Sequence, residues 1–358
     1  MKIWSRYLLL IGFVLLLLGV IQWMRLGPSA AGVPLIVGMG LVALTFGSLP
    51  ATKGFSFTLW IFTAVTFSLY YPQVFTGIGE FSFKNLIVPL LQLIMFGVGS
   101  TMGLSDFAGV LRMPKGVLIG IICQFTIMPL IGYSLAHLFE FPPEIAAGLI
   151  LVGSVPSGLA SNVMSYIANA NVALSVTLTA IATLMAPLMT PLLMQLLAGA
   201  YVPVDFVSMM IDITKIVIVP IGVGLILHHF LSKRLPGLFK VLPVLSMVSI
   251  AIIITIITAA GRESLLVMGP LLAIACLIHN LAGYSLGYGV CKILRMDEKS
   301  CRTIALEVGL QNSGLASGLA LQMGKVATVG LAPAIFGPLM NITGSSLATW
   351  WHNKPPRN

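Results

Sequence analysis

Two of the ten acidic residues in this 358-residue chain, Asp212 and Glu307, fall inside apolar stretches. Glu307 opens the segment Glu307-Val308-Gly309-Leu310-Gln311-Asn312, where small and polar residues interrupt an otherwise apolar run. A carboxylate in such surroundings is costly and persists only with a cation, a proton or a paired base, so it marks an ion or proton pathway. No lysine or arginine shares its turn, and Arg302 reads as part of the preceding loop. A hard monovalent cation such as Na+ needs a shell of oxygens. Glu307, Gln311 and the carbonyls freed by a helix break would supply them. Ser161 and Asn162 follow a second interrupted stretch, Ser175 and Thr179 stand four apart on one helix face, and Gln124 is isolated among apolar residues. A lone hydroxyl most often bonds back to its own helix, whereas a mid-membrane amide needs a partner on another element. Asp212 and Lys215, three apart, are expected to satisfy each other.

The elements that position these residues follow from composition. Hydrophobic residues make up 58% and charged residues 8%, with a mean hydropathy of +1.04. A soluble domain carries about 25% charged residues, so the chain reads as an all-α polytopic membrane protein. Twelve apolar runs approach the roughly 20 residues that a spanning helix requires. They lie near 7–25, 32–49, 55–75, 86–104, 117–138, 144–168, 172–199, 206–231, 240–260, 264–291, 301–323 and 328–351. If each run crosses once, 14 of the 19 basic residues fall on the side that holds both termini. Basic loops stay inside, so both termini are expected to be cytoplasmic, in the cell membrane. The +9 net charge is thereby spread over short loops and forms no nucleic-acid footprint. Lys2, Arg6 and the first apolar run resemble a secretory signal, but the run is long and its removal would reverse the loop bias, so a retained helix fits better. The four cysteines have neither disulfide nor metal-site spacing.

The pentapeptide Ser157-Gly158-Leu159-Ala160-Ser161 recurs as Ser313-Gly314-Leu315-Ala316-Ser317, and Gly132-Tyr133-Ser134-Leu135 recurs as Gly283-Tyr284-Ser285-Leu286. The offsets are 156 and 151 residues. Two matches in the same order imply a duplication. The expected layout is an N-terminal transmembrane hairpin (1–52), a first five-helix repeat (53–202) and a second (203–358). Five crossings is odd, so the second repeat would enter from the opposite face, giving an inverted repeat. In Gly153-Ser154-Val155-Pro156-Ser157-Gly158 a proline removes a helix hydrogen bond, and the small residues tolerate an opened backbone. The sixth and eleventh runs are therefore expected to be broken helices whose openings face protein or a wet cavity.

Ala160-Ser161-Asn162-Val163-Met164, Asn171-Val172-Ala173-Leu174-Ser175, Gln124-Phe125 and the Glu307 to Ala316 segment resemble the bile acid:sodium symporter family, over about residues 55 to 351. The resemblance implies ten helices in two inverted five-helix repeats, divided into core and panel domains, with two broken helices that cross. It implies two Na+ sites. Ser161, Asn162, Ser175, Thr179 and Glu307 would form one. Gln124, Glu307 and Gln311 with the carbonyls of Val308 and Leu310 would form the other. Ser157, Gly158, Asn312 and Asn341 would line the site of an organic-anion substrate, bile acid-like or a small carboxylate, and exposed helix N-termini also suit an anion. The chain departs from the family pattern at Leu159, where a small hydroxyl is usual, and at Met340, where a histidine precedes the asparagine. Both changes make the substrate wall more apolar. The expected activity is sodium-coupled uptake by alternating access. The alternatives are a proton-coupled or passive anion carrier that titrates Glu307, and, less favoured, a membrane-embedded enzyme, for which no HExxH motif or paired intramembrane aspartates are present. His279 reads as a core histidine.

Overall fold

The computed structural model describes residues 3–49, 53–103, 109–231 and 236–354. Among the basic residues counted above, Lys2, Lys233, Arg234 and Arg357 lie outside this set. The described chain is helical apart from short turns and a two-stranded ribbon, Gly77–Ile78 against Phe81–Ser82. It divides into two compact units, Met1–Lys84 with Ile254–Arg262, and Asn85–Ile253 with Glu263–Asn358.

In the first unit, α1 (Ile3–Leu26), α2 (Gly32–Gly47) and α3 (Lys53–Tyr70) follow one another. Large apolar side chains of α1, among them Leu10, Leu17 and Trp23, are exposed on several faces, the pattern of a helix solvated by lipid. The last turn of α3 is closed by Arg262, whose Nε donates to the Leu69 carbonyl at 2.6 Å.

The second unit begins with α4 (Ile87–Thr101) and α5 (Pro114–Leu138). The sixth run is two helices, α6 (Pro143–Ser154) and α7 (Ala160–Ile167), followed by α8 (Val172–Ala198). The next run comprises α9 (Phe206–Ile213), a π-turn over Thr214–Ile218, and α10 (Val219–Leu231). α11 (Pro236–Ala260), whose last residues belong to the first unit, and α12 (Arg262–Ile293) lead to a second broken run, α13 (Glu298–Gly309) and α14 (Ser313–Gln322). α15 (Leu331–His352) closes the fold.

Among the described residues, seven helices are long and apolar enough to cross a bilayer, and the protein is an all-α, multi-pass membrane protein. Five of the twelve apolar runs are not among the seven, and two of these, the sixth and the eleventh, are broken. The 12 and 8 residues of α6 and α7, and the 12 and 10 of α13 and α14, are each half-spans. The expected pairing of Asp212 with Lys215 does not form, and Lys215 is exposed. The π-turn that begins at Thr214 separates the two and carries Lys215 out of the i, i+3 register of an α-helix.

Candidate functional site

The two breaks meet. Ser157 and Gln311 form an isolated antiparallel bridge. The Gly158 amide donates to the Leu310 carbonyl at 2.9 Å, and the Asn312 amide donates to the Pro156 carbonyl at 2.9 Å. Four more carbonyls at the breaks are satisfied by side chains. Ser154 O accepts from Thr190 Oγ1 at 2.8 Å, Val155 O from Gln124 Nε2 at 2.9 Å, Val308 O from Gln311 Nε2 at 2.5 Å, and Gly309 O from Asn280 Nδ2 at 2.8 Å. Each such group left bare in an apolar interior would cost several kcal/mol, so this accounting is what permits both helices to open at depth. Close packing holds the openings in place. A Cβ on Gly153 would lie 2.3 Å from the Met128 carbonyl of α5, and one on Gly309 would lie 2.2 Å from the Tyr284 ring of α12.

Glu307, in the last turn of α13, is 2% exposed. Its Oε2 accepts from Ser157 Oγ at 2.6 Å and from Thr179 Oγ1 at 3.0 Å. Its Oε1 accepts from Ser175 Oγ at 2.5 Å. Around this pair of oxygens, Asn162 Oδ1 lies 2.8 Å from Ser175 Oγ and 3.3 Å from Thr179 Oγ1. Ser161 Oγ stands 3.4 Å from Thr179 Oγ1 and donates to the Gly158 carbonyl at 2.7 Å. α7, α8 and α13 thus converge Ser161, Asn162, Ser175, Thr179 and Glu307 on one point, with Ser157 joining from the break itself. The donor set is entirely oxygen with a single carboxylate, which suits a hard alkali cation and no soft metal. Among the described residues there is no group of three histidine, cysteine or acidic side chains that could hold a metal ion.

The second expected set assembles differently. Gln124 Nε2 donates to Gln311 Oε1 at 2.8 Å, and Gln311 Nε2 lies 3.4 Å from Gln124 Oε1, so the two buried amides face each other. The Val308 carbonyl belongs to this group through Gln311. The Leu310 carbonyl already serves the crossing through Gly158. The hydrogen bonds received by Glu307 come from the hydroxyl cluster, and neither amide contributes one.

Of the residues expected to line a substrate site, Ser157 and Gly158 are buried at the crossing, and Ser157 touches the carboxylate. Asn312 is half-buried and caps α14, its Oδ1 accepting from the Leu315 amide at 3.0 Å. Asn341 is half-buried on α15, apart from the crossing's hydrogen bonds, while Met340 beside it is buried. Leu159 is half-buried at the crossing.

Three contributors escaped the sequence reading. Asn280 and Thr190 close the opened carbonyls. Asn280 carried the same signal as Gln124, an isolated amide in an apolar run, while Thr190 had none. Arg302 is a helix residue and lies outside the loop assigned to it. It is 3% exposed in α13 and pairs with Glu298 at 2.9 Å. It also donates to the carbonyls of Ala168 at 3.0 Å, Trp351 at 3.1 Å and Lys354 at 2.7 Å. These bonds tie together the ends of α7, α13 and α15. His279 is buried, with Nε2 2.9 Å from the Met128 carbonyl.

Comparisons with known proteins identify the family. Residues 88–268 match the model of the sodium bile acid symporter family. The chain is 41% identical over 302 residues to the uncharacterized sodium-dependent transporter YocS of Bacillus subtilis, covering 84% of this chain and 92% of that one. It is 35% identical over 303 residues to the probable sodium/metabolite cotransporter BASS1, chloroplastic, of Arabidopsis thaliana, covering 84% and 74%. It is 32% identical over 252 residues to the human ileal sodium/bile acid cotransporter, covering 68% and 71%. With a carboxylate set in hydroxyls where two opened helices meet, and with relatives that are named as transporters, the chain belongs to the sodium bile acid symporter family, a family of sodium-dependent transporters.

Proposed function

We propose that this protein imports an organic anion across the cell membrane, coupled to Na+, by alternating access. The observation that carries the reading is the buried Glu307 carboxylate, held by hydroxyls from both the first break and the adjoining helix and by no basic side chain. Hydroxyls can donate to an anion or turn a lone pair toward a cation, so Ser157, Ser161, Ser175 and Thr179 can trade carboxylate contacts for a cation without leaving the cage. Two coupling ions are proposed, with Gln124, Gln311 and the Val308 and Leu310 carbonyls holding the second. The names of the human and plant relatives support a bile acid-like anion or a small metabolite as substrate, and a carboxylate would suit the exposed helix N-termini. Ser157, Gly158, Asn312 and Asn341 are proposed to meet it beside the crossing.

The reciprocal bonds between the breaks support a pseudo-two-fold relation between residues 53–202 and 203–358, with residues 1–52 appended. Pro156 and Asn312, which are 156 residues apart, pair with each other, and this is also the offset of the repeated pentapeptide. The distribution of basic loops supports cytoplasmic termini. Coupling would follow if the cation neutralises Glu307 and orders the crossing before the anion docks, since a ligand shifts a conformational equilibrium only by its difference in affinity for the two states. The test is uptake of labelled taurocholate and small carboxylates into proteoliposomes under an inward Na+ gradient. Na+-stimulated uptake that Glu307→Gln abolishes is expected. Uptake driven by a pH gradient and indifferent to Na+ would replace this reading with proton coupling.

A further inference from the structure

Among the described residues, two buried side-chain polar atoms have no hydrogen-bond partner, His279 Nδ1 and Ser165 Oγ. Buried polar atoms are paired as a rule, and an exception needs a reason. Ser165 is 0% exposed and sits in the last turn of α7, three and four residues beyond Asn162 and Ser161. On an α-helix those spacings share one face, so the hydroxyl lies one turn, about 5.4 Å, along α7 from two of the oxygens in the Glu307 cluster.

The surrounding turn is fully satisfied. The Met164 carbonyl accepts from the Ala168 amide at 2.8 Å, Ser165 O from Ala170 at 2.9 Å and Tyr166 O from Asn169 at 3.2 Å. Ile167 O accepts from His352 Nδ1 at 2.9 Å, and Ala168 O from the Arg302 guanidinium at 3.0 Å. A frayed helix end would leave carbonyls bare, yet here the hydroxyl alone is left over. α13 makes a matching step. Thr303, four residues before Glu307, is buried on the same helix, but its hydroxyl is committed to the Asn171 backbone, accepting from N at 2.9 Å and donating to O at 3.0 Å. The C-terminal end of a helix carries partial negative charge and therefore favours a cation over an anion.

We propose that the Ser165 hydroxyl is a transient ligand for Na+, one turn from the Glu307 cluster, on the ion's route between that cluster and the membrane face at which α7 ends. This inference rests on the sodium reading of Glu307. Its test separates equilibrium binding from exchange. Purified protein is melted across a series of Na+ concentrations, and 22Na+ exchange is followed in proteoliposomes, for the parent and for Ser165→Ala, Ser165→Cys and Ser165→Thr. In Ser165→Ala and Ser165→Cys, the Na+ concentration for half-maximal stabilisation is expected to match the parent. Exchange is expected to slow by about tenfold, the factor that follows from losing one hydroxyl-sized contact at a barrier. Ser165→Thr, which keeps the hydroxyl, should exchange within about twofold of the parent by the same argument. Without Na+, Ser165→Ala should melt no lower than the parent, because it removes a buried group that has no partner. Parental exchange rates in Ser165→Ala, or a shift of the binding midpoint as large as the change in rate, would overturn the proposal. A parent protein without Na+-dependent stabilisation would instead refute the sodium reading on which it stands.

Discussion

The two polar clusters at the crossing lie within a few residues of each other along α13 and its break, yet they are built on different principles. Around Glu307 the partners are hydroxyls, each both donor and acceptor, and they converge on one charge. Between Gln124 and Gln311 the partners are amides that satisfy each other and the opened carbonyls of Val155 and Val308. The first cluster can accept a cation by rotating hydroxyl protons away. The second must break amide contacts that also hold the crossing together. Under the proposed function, the first region would be the one that loads the ion, while the second would couple loading to the backbone of both broken helices.

Substitutions can break or sharpen that contrast. The largest effect is expected from Glu307→Gln, which removes the only charge of the cage. Na+-dependent stabilisation and uptake should fall by about two orders of magnitude or more, the scale for losing one partner of a buried ionic contact. Ser175→Ala should come next, weakening half-saturation by Na+ about tenfold, because it deletes a hydrogen bond to a charged group. Its melting temperature without Na+ should change little. Gln311→Ala should show the opposite profile. Leaving Gln124 and the Val308 carbonyl without their partner should cost about 1–3 kcal/mol of stability. The Na+ dependence of uptake should also become less steep, its Hill coefficient falling from about two toward one. If Ser175→Ala and Gln311→Ala gave the same profile, the distinction between the clusters would fail.

The smallest effect lies away from the crossing, where Glu144 at the start of α6 takes an ion pair with Lys325 and a hydrogen bond from Thr328. These contacts, the Lys325 bond foremost, hold the Glu144 carboxyl below its ordinary range. A folded value below the unfolded one means that the contribution is present above the unfolded carboxylate pKa and is lost as pH falls through the folded value. The pair is partly exposed, so Glu144→Gln should lower the melting temperature at neutral pH by about 1–2 °C and flatten its acid dependence.

Much of this was legible in the chain because bilayer physics leaves few options. Long apolar runs announced the helices, and Pro156 with its neighbouring glycines and serines announced a break. The i, i+4 spacing of Ser175 and Thr179 put both hydroxyls on one face. What escaped was tertiary. Nothing in the sequence near Arg302 reveals that the carbonyls of Ala168, Trp351 and Lys354 wait for it, so a basic residue at the edge of a run looked like loop. Thr190 closes the Ser154 carbonyl from another helix, and no local pattern encodes that meeting. The family resemblance put Ser157 at the substrate wall, but only the antiparallel pairing with Gln311 shows that its hydroxyl also reaches the carboxylate. Asp212 and Lys215 failed because side-chain spacing presumes α-helical pitch, and the π-turn removes it.

The reciprocal bonds between residues 156–158 and 310–312 also set an order of events at the ribosome. The first opened turn is synthesised roughly 150 residues ahead of its partners, which at about 5–20 residues per second leaves it exposed for roughly 8–30 s. Through that interval the sixth segment cannot rest in lipid as a finished span. It must wait beside water or the insertion machinery until the eleventh segment emerges, so the two halves of this protein enter the membrane separately but settle there together.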